Sequence, residues 1–166
     1  DPLGIRPLVI GKLDGCPILA SETCALDIIG AQYVRDVENG EVVVFDEDGA
    51  QSHKPFPPMA ARPCIFEYIY FARPDSIVGG RHVYDVRKTM GAELAREAPA
   101  QADVIVPVPD SGVPAAIGFA QEAKIPYELG IIRNHYVGRT FIQPTQAIRD
   151  QGVRLKHSAN RAVVEG

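Results

Sequence analysis

The sequence lacks an excess of basic charge. Its 166 residues carry 17 Lys and Arg against 21 Asp and Glu, which gives a formal net charge of -4. Nucleic acids are held largely by basic side chains that contact phosphates, so we expect no nucleic-acid partner. Any anion site in this chain must therefore come from a local arrangement of hydrogen-bond donors.

Cysteines and long apolar runs are also scarce. Cys16, Cys24 and Cys64 are odd in number and show no CxxC spacing, which argues against a disulfide framework and favours a reducing compartment. No run approaches the roughly 18 apolar residues of a membrane span, and no signal peptide is visible. We therefore expect a cytoplasmic protein with no membrane contact. The chain begins at Asp1 inside a strand-like pattern, from which we expect a fragment, a processed chain or a trimmed one.

The first half of the sequence has the pattern of short strands joined by tight turns. Asp14-Gly15 is a strong hairpin signal, Glu38-Asn39-Gly40 is a second candidate, and a further turn is expected over 46–49. The predicted strands cover 7–13, 17–21, 33–37 and 41–45, with a short helix from Thr23 to Ile29 that Gly30 closes. A proline-rich connector over 54–63 precedes a predicted buried strand over 64–72. This pattern indicates an antiparallel sheet.

The hydrophobic period changes after residue 80. Apolar residues then recur at helical spacing, at Val83, Val86, Met90 and Leu94. Short strands are predicted over 103–108 and 127–132, with a second helix between them. Strand, helix and strand in this order predict a right-handed βαβ unit with a parallel sheet. The segment 134–160 is polar and lacks periodicity, which is typical of a functional lid or of a disordered loop.

The strongest local motif is "VPVPDSGVPAA", in which a predicted strand turns into a helix. The first amides of a helix lack internal partners, so this geometry is suited to phosphate or pyrophosphate. Gly112 permits a close backbone approach, and the Ser111 hydroxyl is a candidate ligand for a phosphate oxygen or a magnesium ion. The alternative is that Asp110 or Ser111 only caps the helix, as such residues often do.

A second motif, "RNHYVGRTFIQPTQ", follows the last predicted strand. Arg139 is a candidate phosphate clamp, and Tyr136 and Phe141 are candidates to seal an apolar passage when the segment closes. The alternative is a solvated basic loop anchored by two aromatic rings. The four histidines form no HxxxH or HxH pair, so a surface role is expected for each; they are His53, His82, His135 and His157.

Long phrases in the sequence resemble the amidophosphoribosyltransferase family. "DPLGIRPL", "ASETCALD", "FEYIYFARPDS", "VPVPDSG", "YVGRTFIQPTQ" and "VRLKHSANR" occur in the family's order along nearly the whole chain. The resemblance implies transfer of ammonia from glutamine to 5-phosphoribosyl-1-pyrophosphate, giving 5-phosphoribosylamine, glutamate and pyrophosphate at the first committed step of purine biosynthesis. It implies an α+β and α/β chain of two partial domains. Residues 1–75 would end an N-terminal-nucleophile αββα glutaminase fold with an antiparallel sheet, and 76–166 would begin a type I phosphoribosyltransferase fold with a parallel sheet.

The resemblance also assigns roles to individual residues. Asp110, Ser111, Gly112 and Thr140 would bind substrate, with Ser111 at the position that meets Mg²⁺, while Arg139, Lys156 and Tyr136 would be catalytic. Tyr70, Phe141 and Ile142 would line an ammonia passage, and Arg133 would contact a feedback nucleotide. Cys64 aligns with the first ligand of the [4Fe-4S] cluster of one branch of the family. It is equally a small apolar residue for a buried strand, and the remaining ligands would lie after Gly166.

The resemblance has departures as well as matches. The nucleophilic cysteine of the glutaminase and the "DDSIVRG" ribose-phosphate motif are absent from these residues, so we expect the chain alone to be inactive. His135 stands where an arginine is expected. The implied partners are glutamine, 5-phosphoribosyl-1-pyrophosphate, purine nucleotide inhibitors and copies of the chain in a dimer or tetramer. The alternatives are a non-catalytic phosphate- or nucleotide-binding regulatory module and another type I phosphoribosyltransferase.

Overall fold

The computed structural model describes residues 1–138, 142 and 144–165. The chain is a mixture of helices and small, mostly antiparallel sheets, and it divides into two compact units. The first unit is Asp1–Val86, and the second begins at Arg87. The predicted boundary near residue 75 separates two fold families, whereas the two units are defined by their compactness. The units therefore do not test that boundary, which stays a prediction. No helix in the described part of the chain is both long and apolar enough to cross a membrane.

A three-stranded antiparallel sheet opens the first unit. Strands β1 (Val9–Leu13), β2 (Cys16–Ala20) and β3 (Gln32–Asp36) lie in the order β2-β1-β3. The predicted hairpin between β1 and β2 is confirmed, because Asp14 and Gly15 both adopt the positive φ that such a two-residue turn requires. Helix α1 (Thr23–Ile29) ends at Gly30 in the left-handed conformation, also as predicted.

Helix α1 packs directly on the sheet. Leu26 is almost fully buried and forms a core cluster with Val9 and Ala31. A Cβ atom at Gly11 would lie 2.6 Å from the Leu26 side chain, so the absence of a side chain at Gly11 lets the helix approach β1. This packing fixes the start of α1, where Glu22 and Thr23 accept hydrogen bonds from residues 73–77 of the same unit.

The predicted hairpin at Glu38-Asn39-Gly40 is wrong. Strand β3 pairs with β1, whereas β4 (Val42–Asp46) pairs with β5 (Gly49–His53) across the confirmed turn at 46–49. The Asn39 amide instead donates to the carbonyl oxygens of Pro2 and Met59, and the Gly40 N–H donates to Asp1. These long-range bonds hold the segment against the start of the chain, which local turn signals do not reveal.

The predicted buried strand over 64–72 is also wrong. The segment is a π-helix at Glu67–Phe71, closed by a hydrogen bond from the Ala72 N–H to the Glu67 carbonyl. Its backbone groups are paired within the segment, and its aromatic side chains are largely exposed. The buried residue is Glu67, which forms an ion pair with Arg6. The guanidinium of Arg6 also lies 4.7 Å from the centre of the Phe71 ring. A strand that alternates its apolar residues would not bury this charge.

The junction between the two halves is a short hairpin followed by a long helix. Strands β6 (Ile77–Val78) and β7 (Arg81–His82) pair around Gly79 and Gly80, both of which have positive φ. Helix α2 (Val83–Glu97) follows and confirms the predicted periodicity. The Tyr68 hydroxyl donates to the Val78 carbonyl at 2.8 Å, so the π-helix is tied to this hairpin.

Two helices pack closely in the second unit. Helix α3 (Val113–Ala123), which was predicted, lies against α2 through Gly91 and Gly118. A Cβ at Gly91 would stand 1.9 Å from the Ala115 carbonyl oxygen, and one at Gly118 would stand 1.8 Å from that of Lys88. Only residues without a side chain permit this approach. Arg96 of α2 then pairs with Glu122 of α3 at 2.8 Å.

The predicted parallel sheet is reduced to a single bridge in the described residues. Ile105 and Tyr127 pair in parallel, with the Ile105 N–H donating to Pro126 at 2.8 Å and the Glu128 N–H donating to Ile105 at 3.0 Å. The order of strand, helix and strand is therefore confirmed, but the long strands over 103–108 and 127–132 are not. Instead, β8 (Ile131–Arg133) pairs antiparallel with β9 (His157–Ala159).

The segment predicted as a loop over 134–160 contains regular structure. Helix α4 (Gln146–Lys156) begins after Thr145, whose hydroxyl accepts the Ile148 N–H, and β9 and the short helix α5 (Arg161–Val164) follow. Helix α4 buries no residue, so its sequence needs no apolar stripe. The prediction failed because it relied on such a stripe.

Candidate phosphate-binding site

The site begins at the turn between the parallel bridge and α3. From Ile105 the chain passes through buried Pro107 to the turn at Asp110-Ser111-Gly112. The peptide bond between Pro109 and Asp110 is cis. The Gly112 N–H donates to the Val108 carbonyl at 3.2 Å, which closes the turn before α3 starts. The turn therefore presents Asp110 and Ser111, both exposed, at the amino end of an 11-residue helix.

The capping alternative does not describe this turn. The residue that caps α3 is Gly112, and no side chain hydrogen-bonds to the first turn of the helix. Asp110 and Ser111 are thus not used as caps. The helix dipole leaves partial positive charge at the amino end of α3, which suits an anion. The Gly112 and Val113 N–H groups already donate to the Val108 and Asp110 carbonyls, and Pro114 has no N–H.

Gly112 is required at this turn by its surroundings. A Cβ there would lie 2.8 Å from the Val108 carbonyl oxygen, a distance that real Cβ atoms essentially never show. The neighbour is the chain's own backbone, so the predicted close approach of Gly112 to a phosphate stays a prediction.

Asp110 and Arg133 form an ion pair that the sequence did not predict. The Nη1 group of Arg133, at the end of β8, donates to the Oδ2 atom of Asp110. The Arg133 side chain is 29% exposed and that of Asp110 is 57% exposed. Asp110 was expected to bind substrate and Arg133 to contact a feedback nucleotide, and the structure brings the two side chains together.

The base of the 134–156 segment lies beside this ion pair. The Asn134 N–H donates to the Lys156 carbonyl at 2.7 Å, and Arg133 lies directly opposite His157 in the β8–β9 ladder. Lys156, at the end of α4, is half-buried. The structure therefore places Arg133 and Lys156 at the two ends of one segment.

Two further predicted residues of this segment, Tyr136 and Ile142, fall within the described residues. The Tyr136 side chain is fully exposed, and that of Ile142 is 74% exposed. Arg139, Thr140 and Phe141 lie outside the described residues.

Tyr70 and Cys64 belong to the first unit. Tyr70 is 61% exposed on the π-helix, and its ring lies 6.2 Å from that of Phe71. Cys64 is half-buried, donates its N–H to Ile5 at 3.0 Å and lines a cavity of about 390 Å³ with Glu67 and Tyr68. Cys64 is therefore not a buried residue of a strand, which was the alternative to a cluster ligand.

The other two cysteines differ in environment. Cys16 is exposed, whereas Cys24 is buried at the start of α1. Burial raises the pKa of the Cys24 thiol, and the nearby Glu22 carboxylate adds to this effect against a hydrogen bond with Ser76. A thiol with a raised pKa is a poor nucleophile, so Cys24 is suited to packing rather than catalysis.

No metal cage is assembled within the described ranges, where no group of three or more His, Cys, Asp or Glu side chains converges. A single exposed hydroxyl at Ser111 suits Mg²⁺, which commonly takes few protein ligands and completes its shell with water and substrate phosphates. A [4Fe-4S] cluster requires several thiolates, and these residues alone do not supply them.

Two features of the site escaped the sequence analysis. A surface role was predicted for all four histidines, and His53, His82 and His135 are exposed. His157 is instead half-buried, and its Nε2 atom is enclosed. The pairing of Asp110 with Arg133 spans 23 positions, and the parallel bridge between Ile105 and Tyr127 aligns the two segments that lead to these residues. The sequence predicted the strand, helix and strand of this unit but not the pairing of the two side chains.

Comparisons with known proteins agree on one class of enzyme, although no family model matches the chain. The whole chain aligns with the amidophosphoribosyltransferase of Rhizobium etli at 67% identity, with that of Bacillus subtilis at 52% and with a chloroplastic one of Arabidopsis thaliana at 54%. It covers 34%, 35% and 30% of these proteins, so it spans about a third of their length.

Solved structures give the same result. A B. subtilis glutamine phosphoribosylpyrophosphate amidotransferase complexed with ADP and GMP matches all of the chain with a TM-score of 0.88 at 52% identity. A structure described as the allosteric regulatory enzyme of purine biosynthesis matches with a TM-score of 0.89. In each case the chain covers 36% of the solved chain.

Proposed function

We propose that the chain is part of a glutamine-dependent amidophosphoribosyltransferase, which forms 5-phosphoribosylamine from 5-phosphoribosyl-1-pyrophosphate at the start of purine biosynthesis. The observation that carries this proposal is the alignment of the whole chain at 67% identity with one such enzyme. The exposed turn at Asp110-Ser111-Gly112 supports it, because the positive end of the α3 dipole favours an anion such as pyrophosphate there.

In this proposal the two parts of the chain serve different half-reactions. Residues 1–75 end an N-terminal-nucleophile glutaminase domain that releases ammonia, and residues 76–166 begin a type I phosphoribosyltransferase domain. Ammonia attacks the ribose C1 atom, the bond from C1 to the pyrophosphate oxygen breaks, and pyrophosphate leaves with that electron pair. The protein would act in the cytoplasm as a homo-oligomer.

The residues of the turn and of the 134–156 segment divide the work on the leaving group. The Ser111 N–H and the positive end of the α3 dipole would bind the pyrophosphate oxygens. Lys156 would neutralise charge on the leaving group, together with Arg139. Lys156 stands at the junction of α4 and β9, so a change in α4 would carry its ammonium group towards or away from the turn.

Two cofactors belong to the proposal. The Ser111 hydroxyl would be one ligand of a Mg²⁺ ion that neutralises pyrophosphate charge. Cys64 would supply one thiolate to a [4Fe-4S] cluster, and the other thiolates would have to come from elsewhere in the protein. No step of the reaction is assigned to the cluster.

A purine nucleotide is the proposed inhibitor. The B. subtilis structure holds ADP and GMP, and Arg133 is the basic residue that the sequence resemblance assigns to this role. The same observation favours a second candidate function, a regulatory nucleotide-binding module without catalysis. The two candidates differ in whether phosphoribosylamine is formed.

The test uses the full-length protein with 5-phosphoribosyl-1-pyrophosphate and either glutamine or an ammonium salt. Lys156→Ala should lower phosphoribosylamine formation by about 100-fold or more, the range expected when a charged group that stabilises the leaving group is lost. Basal glutamine hydrolysis should stay near the wild-type rate. The control is Arg154→Ala, an exposed cation on the same helix, which should leave both activities unchanged.

Equal losses of both activities in Lys156→Ala would point to a folding defect and not to a role on pyrophosphate. Absence of phosphoribosylamine in the wild-type reaction, with nucleotide binding retained, would favour the regulatory module.

A further inference from the structure

Two buried nitrogen atoms lie at the base of the 134–156 segment without a hydrogen-bond partner among the described residues. They are Nε of Arg133 and Nε2 of His157. A buried polar nitrogen without a partner is costly, so native structures usually provide one. The described residues provide none for either atom.

The two side chains face the same side of one ladder. Arg133 and His157 are directly opposite in the β8–β9 register, and opposite residues of an antiparallel pair carry their side chains on the same face. The imidazole and the guanidinium are therefore neighbours, and a single oxyanion placed between them would satisfy both free nitrogens.

Asp110 already pairs with the same guanidinium, through Nη1. Its carboxylate accepts from Nη1 of Arg133, and a phosphate binds a guanidinium in the same planar geometry as a carboxylate does. Asp110 is the more exposed partner, at 57%, so it can leave the ion pair without disturbing a packed core. A phosphate at the Nε edge of the same guanidinium would repel the carboxylate, so phosphate binding would favour the departure of Asp110.

We propose that Arg133 and His157 form a phosphate-binding site and that the phosphate takes the place of Asp110 at Arg133. The ligand is a phosphate oxyanion, carried either by the pyrophosphoryl group of the substrate or by a purine nucleotide. The inference rests on the proposed function for these two sources, and it adds His157 as a binding residue and Asp110 as an internal competitor.

Calorimetric titration of the full-length protein tests the site with inorganic pyrophosphate, with GMP and with guanosine as the control that lacks phosphate. His157→Leu should weaken one of the two phosphate ligands about tenfold, the effect of one hydrogen bond to a charged group. His157→Gln keeps an N–H donor of similar reach and should recover most of that affinity. Guanosine should bind all three proteins alike.

The ligand that loses affinity identifies the source. Weaker pyrophosphate binding assigns the site to the substrate, and weaker GMP binding assigns it to the nucleotide. Unchanged binding of both ligands in His157→Leu would overturn the site. Equal losses in His157→Leu and His157→Gln would also overturn it, because they would show a structural role.

Asp110→Asn tests the displacement. Loss of the charge removes the competitor for Arg133, so the ligand weakened by His157→Leu should bind several times more tightly. Equal or weaker binding would overturn the displacement. Phosphoribosylamine formation by the wild-type protein is measured separately, so binding that depends on His157 without product formation would reject only the proposed function.

Discussion

The Glu22 carboxylate accepts a hydrogen bond from the Ser76 hydroxyl at 2.9 Å, although 54 positions separate the two residues. The same oxygen accepts the Arg73 N–H at 2.7 Å. The neighbouring Thr23 hydroxyl accepts the Ile77 N–H at 2.8 Å. The start of α1 therefore holds the segment that connects the π-helix to β6.

Replacing Glu22 by Ala should loosen this segment. The change leaves the Arg73 N–H and the fully buried Ser76 hydroxyl without their acceptor, at a cost of about 1–3 kcal/mol. Hydrogen exchange at Arg73 should accelerate by tenfold or more. Glu22→Gln keeps an acceptor oxygen, so its exchange rate at Arg73 should lie between those of the wild type and Glu22→Ala. The control is Glu47→Ala, which removes an exposed carboxylate in the β4–β5 turn. Unchanged exchange at Arg73 would show that Glu22 does not hold the segment.

Glu41 should make stability depend on pH in the acid range. Hydrogen bonds from Arg35, at 2.6 and 2.9 Å, lower the pKa of its carboxyl from 4.5 to about 2, against the opposing effect of burial. Bonds from Ser52 and the Glu38 N–H contribute further. Because the folded pKa lies below the unfolded one, the stabilisation is present above pH 4.5 and is lost as the pH falls towards 2.

The measurement is the unfolding midpoint of the wild type and of Glu41→Gln between pH 7 and pH 2. The difference should be largest near neutral pH, on the order of 2 kcal/mol, and should shrink below pH 4.5. A difference that stays constant over the whole range would contradict the assignment to Glu41.

Gly118→Ala tests the close packing of α2 and α3. The new methyl group would meet the Lys88 carbonyl oxygen at 1.8 Å, so one helix must move and about 3 kcal/mol or more of stability should be lost. Gly138→Ala is the control, because no atom lies within 4 Å of its Cβ position, and its effect should stay within about 0.5 kcal/mol. Similar melting temperatures for the two variants would refute the packing.

Local signals predicted the elements that depend on local chemistry. The Asp14-Gly15 hairpin and the end of α1 at Gly30 require positive φ, and that requirement is visible in the residue type. Helix α2 buries Val83 and Val86 on one face, so its period was also visible. Fold elements of this kind can be predicted from single segments.

Elements that depend on distant partners could not be predicted in this way. The aromatic run over 64–72 has strand composition, but the burial of Glu67 against Arg6 belongs to a π-helix. Asn39 resembles a turn residue, but its amide bonds to Pro2 and Met59. At the site, the turn at 110–112 was evident from its glycine and serine, whereas the Arg133–Asp110 pair joins side chains 23 positions apart, which local signals do not reveal.

The cluster proposal for Cys64 has a direct chemical readout. Full-length protein purified without oxygen should be brown and contain about four irons per chain, and Cys64→Ser should lower the iron content sharply. Cys24→Ser is the control, because the buried Cys24 has no proposed ligand role, and its iron content should match the wild type. Colourless, iron-free wild-type protein with full activity would exclude the ligand role.

The proposed function is tested most directly by the stoichiometry of the reaction with glutamine. Full-length protein at saturating glutamine and 5-phosphoribosyl-1-pyrophosphate should release glutamate and form phosphoribosylamine and pyrophosphate in a ratio of about one to one to one, because ammonia passes to C1 before it escapes to water. Glutamate release without consumption of 5-phosphoribosyl-1-pyrophosphate, or pyrophosphate release without phosphoribosylamine, would contradict the account.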